Sequence, residues 1–322
     1  MRPRSEWTVT LQGLLLLAVL MVGFSLLEPR FLSGGNLLAI LSQSAPVALA
    51  AFGQMAAVGA GEVDLSMGAV AAIGSMVAVM AAHGYGNLAG WLCGSLTGAA
   101  VGAINGLLVA RVGIPSFVAT VGMLTSVQGV ALILSGGVPV EFPPQGFQYL
   151  GQGLVGPVPV SALMVFAAFL LLDVLFHKTV FGRYLFAVGA NRRAAYYSAV
   201  PTGRVRFLSL VLSGFLAGVA SVVLASRVVS GQPNMAPDLP FQAIAALAVG
   251  GVALSGGRGT LAQAIVGVLV LGVLQNGLRL ANVSTYVQQM ATGVITVAAL
   301  VSREQLTVPV WLRVLARERE AA

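Results

Sequence analysis

The sequence predicts an all-α integral membrane protein of about ten transmembrane helices, with an inverted internal repeat and both termini cytoplasmic. Three observations lead there. Of 322 residues, 57% are hydrophobic and 8% charged, with a mean hydropathy of +0.93, so no soluble surface can be assembled from this composition. Apolar stretches of about 20 residues, the length that crosses a hydrocarbon core, recur from end to end. Forty glycines and 7% aromatic residues suit closely packed helices, whereas a transmembrane β-barrel would show aromatic girdles and alternating strands of about ten residues.

Cutting at charges, prolines and glycine-rich joints places the spans at Leu11 to Leu27, Asn36 to Val58, Leu65 to Ala82, Leu88 to Ala110, Phe117 to Leu134, Val158 to Phe176, Phe207 to Ser226, Phe241 to Leu254, Thr260 to Leu280 and Val283 to Val301. The first follows Arg2 and Arg4 as a secretory signal would. No convincing small-x-small cleavage site precedes Glu28 and Pro29, and apolar segments follow at once, so it reads as a retained helix. The eighth is short and reads as a full span or as a broken, partly re-entrant helix. Spans two to five and seven to ten form the two halves of the repeat. Asn105-Gly106-Leu107 closing the fourth and Asn276-Gly277-Leu278 closing the ninth on the opposite side are its trace, with chance recurrence as the competing explanation.

The orientation rests on basic residues, which gather on the cytoplasmic side. With the N-terminus inside, Arg2, Arg4, Arg111, Lys178, Arg183, Arg192, Arg193, Arg204, Arg206, Arg258, Arg303, Arg313, Arg317 and Arg319 are inside, and only Arg30, Arg227 and Arg279 outside. One missed helix would invert every later loop. The net charge of +7 is therefore a cytoplasmic collar and calls for no nucleic-acid partner. The chain reads as one domain over 1–322, with an inside loop at about 177–206 and a short cytoplasmic tail over 302–322.

Within the spans, Gly94, Gly98, Gly102 and Gly106 make a smooth ridge at spacing four, which suits helix packing. Acids in such a chain are costly and need a reason. Asp64, in Gly61-Glu62-Val63-Asp64-Leu65-Ser66, is placed either to cap the helix starting at Leu65 or, with Glu62 and Ser66, to line a translocation path. Asp173 is expected to pair locally with Lys178 and Arg183. Ser135 to Pro159 and Ser230 to Pro240 are proline-rich outside connections, the first too broken for a helix. Inside, Gly189 to Val200 reads as a short helix opened near Asn191, presenting Ala194, Ala195, Tyr196 and Ser198 to a groove on a partner.

Absences narrow the function. Cys93 is the one cysteine, so neither an intrachain disulfide nor a metal framework is available. His83 and His177 are far apart, and there is no H-E-x-x-H, G-x-S-x-G or phosphate-binding G-x-x-x-x-G-K-[ST]. The chain is expected to bind no metal or cofactor and to hydrolyse no ATP.

From about Asn36 to Val301 the chain resembles the inner-membrane permeases of bacterial ribose-type sugar importers of the ATP-binding-cassette class, within the branched-chain amino acid and ribose permease superfamily. Gly61 to Gly68 is similar to the family's G-G-I-D-L-S-V-G, Asn105 to Phe117 to N-G-L-L-V-x-x-x-x-I-P-x-F, and Leu134 to Gly137 to L-x-G-G. Phe181 to Tyr184 with Ala187 to Asn191 and Ala194-Ala195 is similar to F-G-R-x-x-x-A-x-G-x-N-x-x-A-A. Gly231-Gln232-Pro233, Ala243 to Ala246 and Leu254 to Gly259 resemble G-Q-P, A-I-A-A and L-S-G-G-R-G.

The resemblance implies a permease dimer (homodimer or paralogue heterodimer) in the bilayer, a cytoplasmic ATPase pair that holds ATP-Mg, and a periplasmic solute-binding protein. It implies that the segment with Gly189, Asn191, Arg192, Arg193, Ala194, Ala195, Tyr196 and Ser198 couples to the ATPase. The chain departs from the pattern at Arg192 and Arg193, at Glu62 where the family has glycine, and at Leu239-Pro240-Phe241-Gln242, which replaces Y-E-L-D and removes two carboxylates. An ion-coupled secondary transporter is the rival reading, with Glu62 and Asp64 as its candidate ion site.

Overall fold

A computed structural model describes residues 6–141 and 143–304. The tail from Trp311 onward, with Arg313, Arg317 and Arg319, lies outside them, as do Arg2 and Arg4. The fold is a helical bundle: α1 (Glu6–Leu27), α2 (Gly34–Gly59), α3 (Met67–Tyr85), α4 (Asn87–Leu107) continued by a π turn (Leu108–Val112), α5 (Ser116–Ser135), a single turn α6 (Tyr149–Gln152), α7 (Val160–Lys178), α8 (Val180–Ala190), α9 (Arg192–Tyr197), α10 (Thr202–Val228), α11 (Leu239–Gly250), α12 (Leu261–Leu280) and α13 (Thr285–Glu304). Among the described residues seven helices are long and apolar enough to cross a membrane: α2, α3, α4 with its π turn, α5, α7, α10 and α12.

The helices start and stop where local chemistry dictates. Ser33 caps α2 by accepting from the Asn36 N–H, Thr179 caps α8 from Gly182, and Thr260 with Gln263 forms a reciprocal capping box on α12. α5 and α11 end on Gly136 and Gly251 in the left-handed conformation. The short eighth segment is the 12-residue α11, only about 18 Å long, too short to span alone. The stretch Ser135 to Pro159, expected to be an outside connection too broken for a helix, holds local structure among its described residues. It carries the α6 turn, the hairpin of β2 (Leu154–Val155) with β3 (Val158–Pro159), and β1 (Val140–Glu141), which pairs antiparallel with β4 (Ser230–Gly231). Backbone pairing at Val140↔Gly231 and Glu141↔Ser230 joins the two proline-rich connections at one end of the bundle.

Residues from the central helices α2, α3, α10, α11 and α12 supply most of the main buried core. Its tightest seam is α4 against α10. A Cβ on Gly98 would strike the Gly214 carbonyl and Gly218, one on Gly102 the Leu210 carbonyl and Gly214, and one on Gly106 the ring and carbonyl of Phe207. Gly94 meets Val222 and Ala78. The predicted ridge therefore has a counterpart at spacing four, Gly214 and Gly218, which the sequence reading did not single out. Close approach of this kind drives helix association in lipid, where apolar burial alone gives no preference for one neighbour over lipid.

Replacing Gly98 or Gly214 by leucine should cost at least the roughly 1–3 kcal/mol of core overpacking, seen as a lowered melting temperature in detergent. Gly129→Ala, at a position facing open space, should leave it unchanged.

Candidate functional site

Three chain reversals meet at the end of the bundle opposite the β1–β4 pair, about 40 Å away along α10 by helix rise. They are Gly59 to Gly61 after α2, Gly189-Ala190 at the end of α8, and Gly256-Gly257 between α11 and α12. No side chain separates them. A Cβ on Gly189 would fall on the Gly59 carbonyl and within 2.6 Å of the Gly257 nitrogen, and one on Gly256 within 2.9 Å of the Gly61 Cα and 3.2 Å of the Gly189 carbonyl. Gly61, Gly256 and Gly257 have φ of 77°, 92° and 73°, a region that costs a side-chain-bearing residue energy. The expected turn between the eighth and ninth segments is thus part of a three-way backbone joint.

From this joint the chain runs directly into α9. Asn191 opens it as expected: its side chain accepts from the Ala194 N–H at 2.9 Å. Arg192, Arg193, Ala194, Tyr196, Tyr197 and Ser198 are exposed, and only Ala195 is buried. Tyr196 and Tyr197 touch edge to face, with centroids 5.8 Å apart, so two large rings stand in solvent at the tip. Gly189, grouped with these residues on sequence, sits instead in the joint.

The acidic segment lies beside the joint and is fully engaged. Glu62 forms a buried ion pair with Arg206 of α10, the two side chains 7% and 5% exposed. Asp64 is completely buried. Its Oδ1 accepts from the Ser66 N–H at 2.9 Å and the Ser66 hydroxyl at 2.6 Å, and its Oδ2 from the Ser213 hydroxyl of α10 at 2.7 Å. The Asn105 amide of α4 donates to Ser66 Oγ at 2.9 Å. Between the two acids the Val63 N–H donates to Ser116 Oγ, and the Val63 carbonyl accepts from Thr120, both on α5. Non-helical backbone is tolerated near membrane depth when it is satisfied inside the protein, as here. Burial pushes the Asp64 carboxyl above its ordinary value, and the Ser213 and Ser66 hydrogen bonds oppose the shift.

Three expectations are corrected by this geometry. α3 begins at Met67, not Leu65, with Ser66 at the N-cap; Asp64 therefore braces the connection to α10 and does not cap the helix directly. α10 begins at Thr202, five residues before the expected Phe207, because Gly203 to Arg206 continue the helix, and this draws Arg206 out of the collar into a buried pair. Asp173 pairs with His177 at 3.0 Å, one turn along α7, and not with Lys178 or Arg183. Glu62 standing where the related motif has glycine was the signal that a buried counter-charge was needed.

The chain matches the family described as branched-chain amino acid transport system/permease component over residues 36–300. It belongs to that family. It is 38% identical over 293 residues to the ribose import permease protein RbsC of Bacillus subtilis, covering 90% of this chain and 91% of that one. It is 38% identical to the probable ABC transporter permease protein YphD of Escherichia coli, covering 91% and 89%. The L-arabinose ABC transporter permease protein AraH of Azospirillum brasilense is 35% identical over 88% and 84%. No solved structure matches. With its seven apolar helices, the chain is a multi-pass permease of the bacterial inner membrane. Among the described residues no group of three or more His, Cys, Asp or Glu is placed to hold a metal.

Arg206→Ala should cost about 3–5 kcal/mol by leaving Glu62 buried and unpaired. Adding Glu62→Gly should recover most of it, read as detergent melting temperatures of the single and double variants.

Proposed function

We propose that this chain is the transmembrane subunit of an ATP-binding-cassette importer, carrying a monosaccharide or similar small polyhydroxy solute inward. The solute is delivered by a periplasmic binding protein, and a cytoplasmic ATPase pair holding ATP-Mg supplies the drive. A second permease subunit, identical or paralogous, completes the path. The names of the relatives, ribose and L-arabinose permeases, support the solute class. The observation that carries the coupling role is α9: a short capped helix with exposed Tyr196, Tyr197, Arg192 and Arg193, standing directly on the three-way glycine joint.

In this reading the joint end is cytoplasmic and the β1–β4 end periplasmic, with both termini inside. α1, α11 and α13 join the seven long helices to make ten membrane segments. The inverted repeat has support in packing. Asn105-Gly106 at the end of α4 meets the start of α10, and Asn276 at the end of α12 exchanges reciprocal amide hydrogen bonds of 2.9 and 3.0 Å with Asn36 at the start of α2. The third helix of each half thus ends on the first helix of the other, as a pseudo-two-fold axis requires.

The mechanism follows from rigidity. Closure of the ATPase pair displaces α9. The backbone joint has no side chain to yield, so the displacement reaches the α2–α3 connection and the α11–α12 turn together. The Glu62–Arg206 pair and the Asp64 relay carry it to α10 and α4, and the Val63 backbone carries it to α5. Rocking of the helices then opens the path on alternate sides. The rival ion-coupled transporter loses its support here, because Glu62 is neutralised by Arg206 and both Asp64 oxygens are already bonded.

Ala194→Glu places a charge on the exposed face of α9 without touching the joint. With partners reconstituted in proteoliposomes, ATP-driven uptake of labelled pentose should fall about tenfold or more, within the usual range of coupling energies. Unchanged uptake would refute the docking role. Gly189→Glu is a poorer test because it also breaks the joint.

A further inference from the structure

A cavity of about 570 Å³ lies between α11, α12 and α13, and a second of about 220 Å³ lies between α2, α10, α11 and α12. Gln242, Gln275 and Arg279 line both. The smaller also takes Gln43, Ser44 and Arg227 and is lined by no carboxylate, while Asp238 lines the larger. The Arg279 guanidinium donates to Gln43 Oε1. Arg227 and Arg279 interact electrostatically as like charges, and neither forms an ion pair among the described residues. Ser44 is buried, and its hydroxyl has no hydrogen-bond partner among the described residues. Gly272, which lines the same cavity, lets that hydroxyl pack onto the α12 backbone, since a Cβ there would stand 2.1 Å from Ser44 Oγ.

These groups specify a ligand chemistry. Glutamine amides offer paired donors and acceptors suited to the hydroxyls of a polyol. Two guanidiniums lining one space, Arg279 exposed at the end of α12 and Arg227 half-buried at the end of α10, repel each other and create a positive potential there. Guanidinium forks match carboxylate geometry. The sequence departure at Gln242 belongs to the same site, since an amide stands where the related motif carries an acid that would have offset the arginines.

We propose that these joined cavities are a solute site for a polyhydroxy carboxylate, an aldonate-type sugar acid, with Arg227 and Arg279 on its carboxylate and Gln43, Gln242 and Gln275 on its hydroxyls. This rests on the transport reading and narrows its substrate class.

The test uses the purified full chain in nanodiscs, without partners, so that it stands apart from the uptake assay. In a Cys93→Ser background, Gln242→Cys and, separately, Gln275→Cys are labelled with anionic and cationic methanethiosulfonates. Rates are normalised to a free thiol, and monodispersity reports folding. The anionic reagent should react about tenfold faster than the cationic one, the low end of electrostatic steering. Arg227→Gln with Arg279→Gln should abolish the preference. D-Gluconate should protect the thiol, and D-ribose should protect it at least tenfold more weakly, a margin of about 1.4 kcal/mol. Equal protection by both would overturn the acid assignment and leave a neutral-sugar site. No charge preference and no protection at either position would overturn the site altogether. The transport reading itself fails or stands on the α9 variant.

Discussion

Direct backbone-to-backbone contact is the constraint on which the rest of this permease depends. In lipid, apolar side chains gain nothing by choosing a protein neighbour over an acyl chain, so specific association must come from close approach and from polar groups with no other partner. The chain meets both demands in two places. The α4–α10 seam is built from Gly98, Gly102 and Gly106 against Gly214 and Gly218, and it fixes α10 in the bundle. The three-way joint at Gly61, Gly189 and Gly256-Gly257 fixes three connections to one another. Between them lies the buried relay of Asn105, Ser66, Asp64 and Ser213, closed on its flank by Glu62 and Arg206.

This arrangement gives stiffness along one route and leaves it out elsewhere. A force on α9 enters a joint in which a Cβ on Gly189, Gly256 or Gly257 would strike the backbone of a neighbouring connection, so the three connections share the displacement. The polar relay has every Asp64 oxygen engaged, which makes it a tether between α3, α4 and α10. In the proposed reading the energy comes from a partner ATPase that acts on the solvent-facing tyrosines of α9.

Much of the fold was legible in the sequence, because in a membrane chain the apolar length and the positions of glycine and proline carry the pattern. All ten expected segments coincide with helices, most with ends within a few residues. Asn191 was readable as a cap because its side chain acts within its own turn, and the Gly94-to-Gly106 ridge because its spacing matches a helix repeat. What escaped depends on partners distant in sequence. Arg206 looked like one more basic residue of an inside loop until α10 was seen to begin at Thr202. Gly189 looked like part of a docking face, although its neighbours are Gly59 and Gly257. The cavity arginines looked like exceptions to a charge rule. Gln43, Gln242 and Gln275, each unremarkable alone, acquire meaning only when three helices bring them to the same space.

The most direct test of the central claim is the number of solute molecules taken up per ATP hydrolysed by the reconstituted transporter carrying Gly256→Ala. That single methyl would push against Gly61 and Gly189 at a residue with φ of 92°, while α9 and its exposed face are untouched. If the joint transmits the stroke, the ATPase pair still binds and hydrolyses ATP while uptake per ATP falls about tenfold or more. Uptake per ATP equal to that of the unaltered protein would contradict the account.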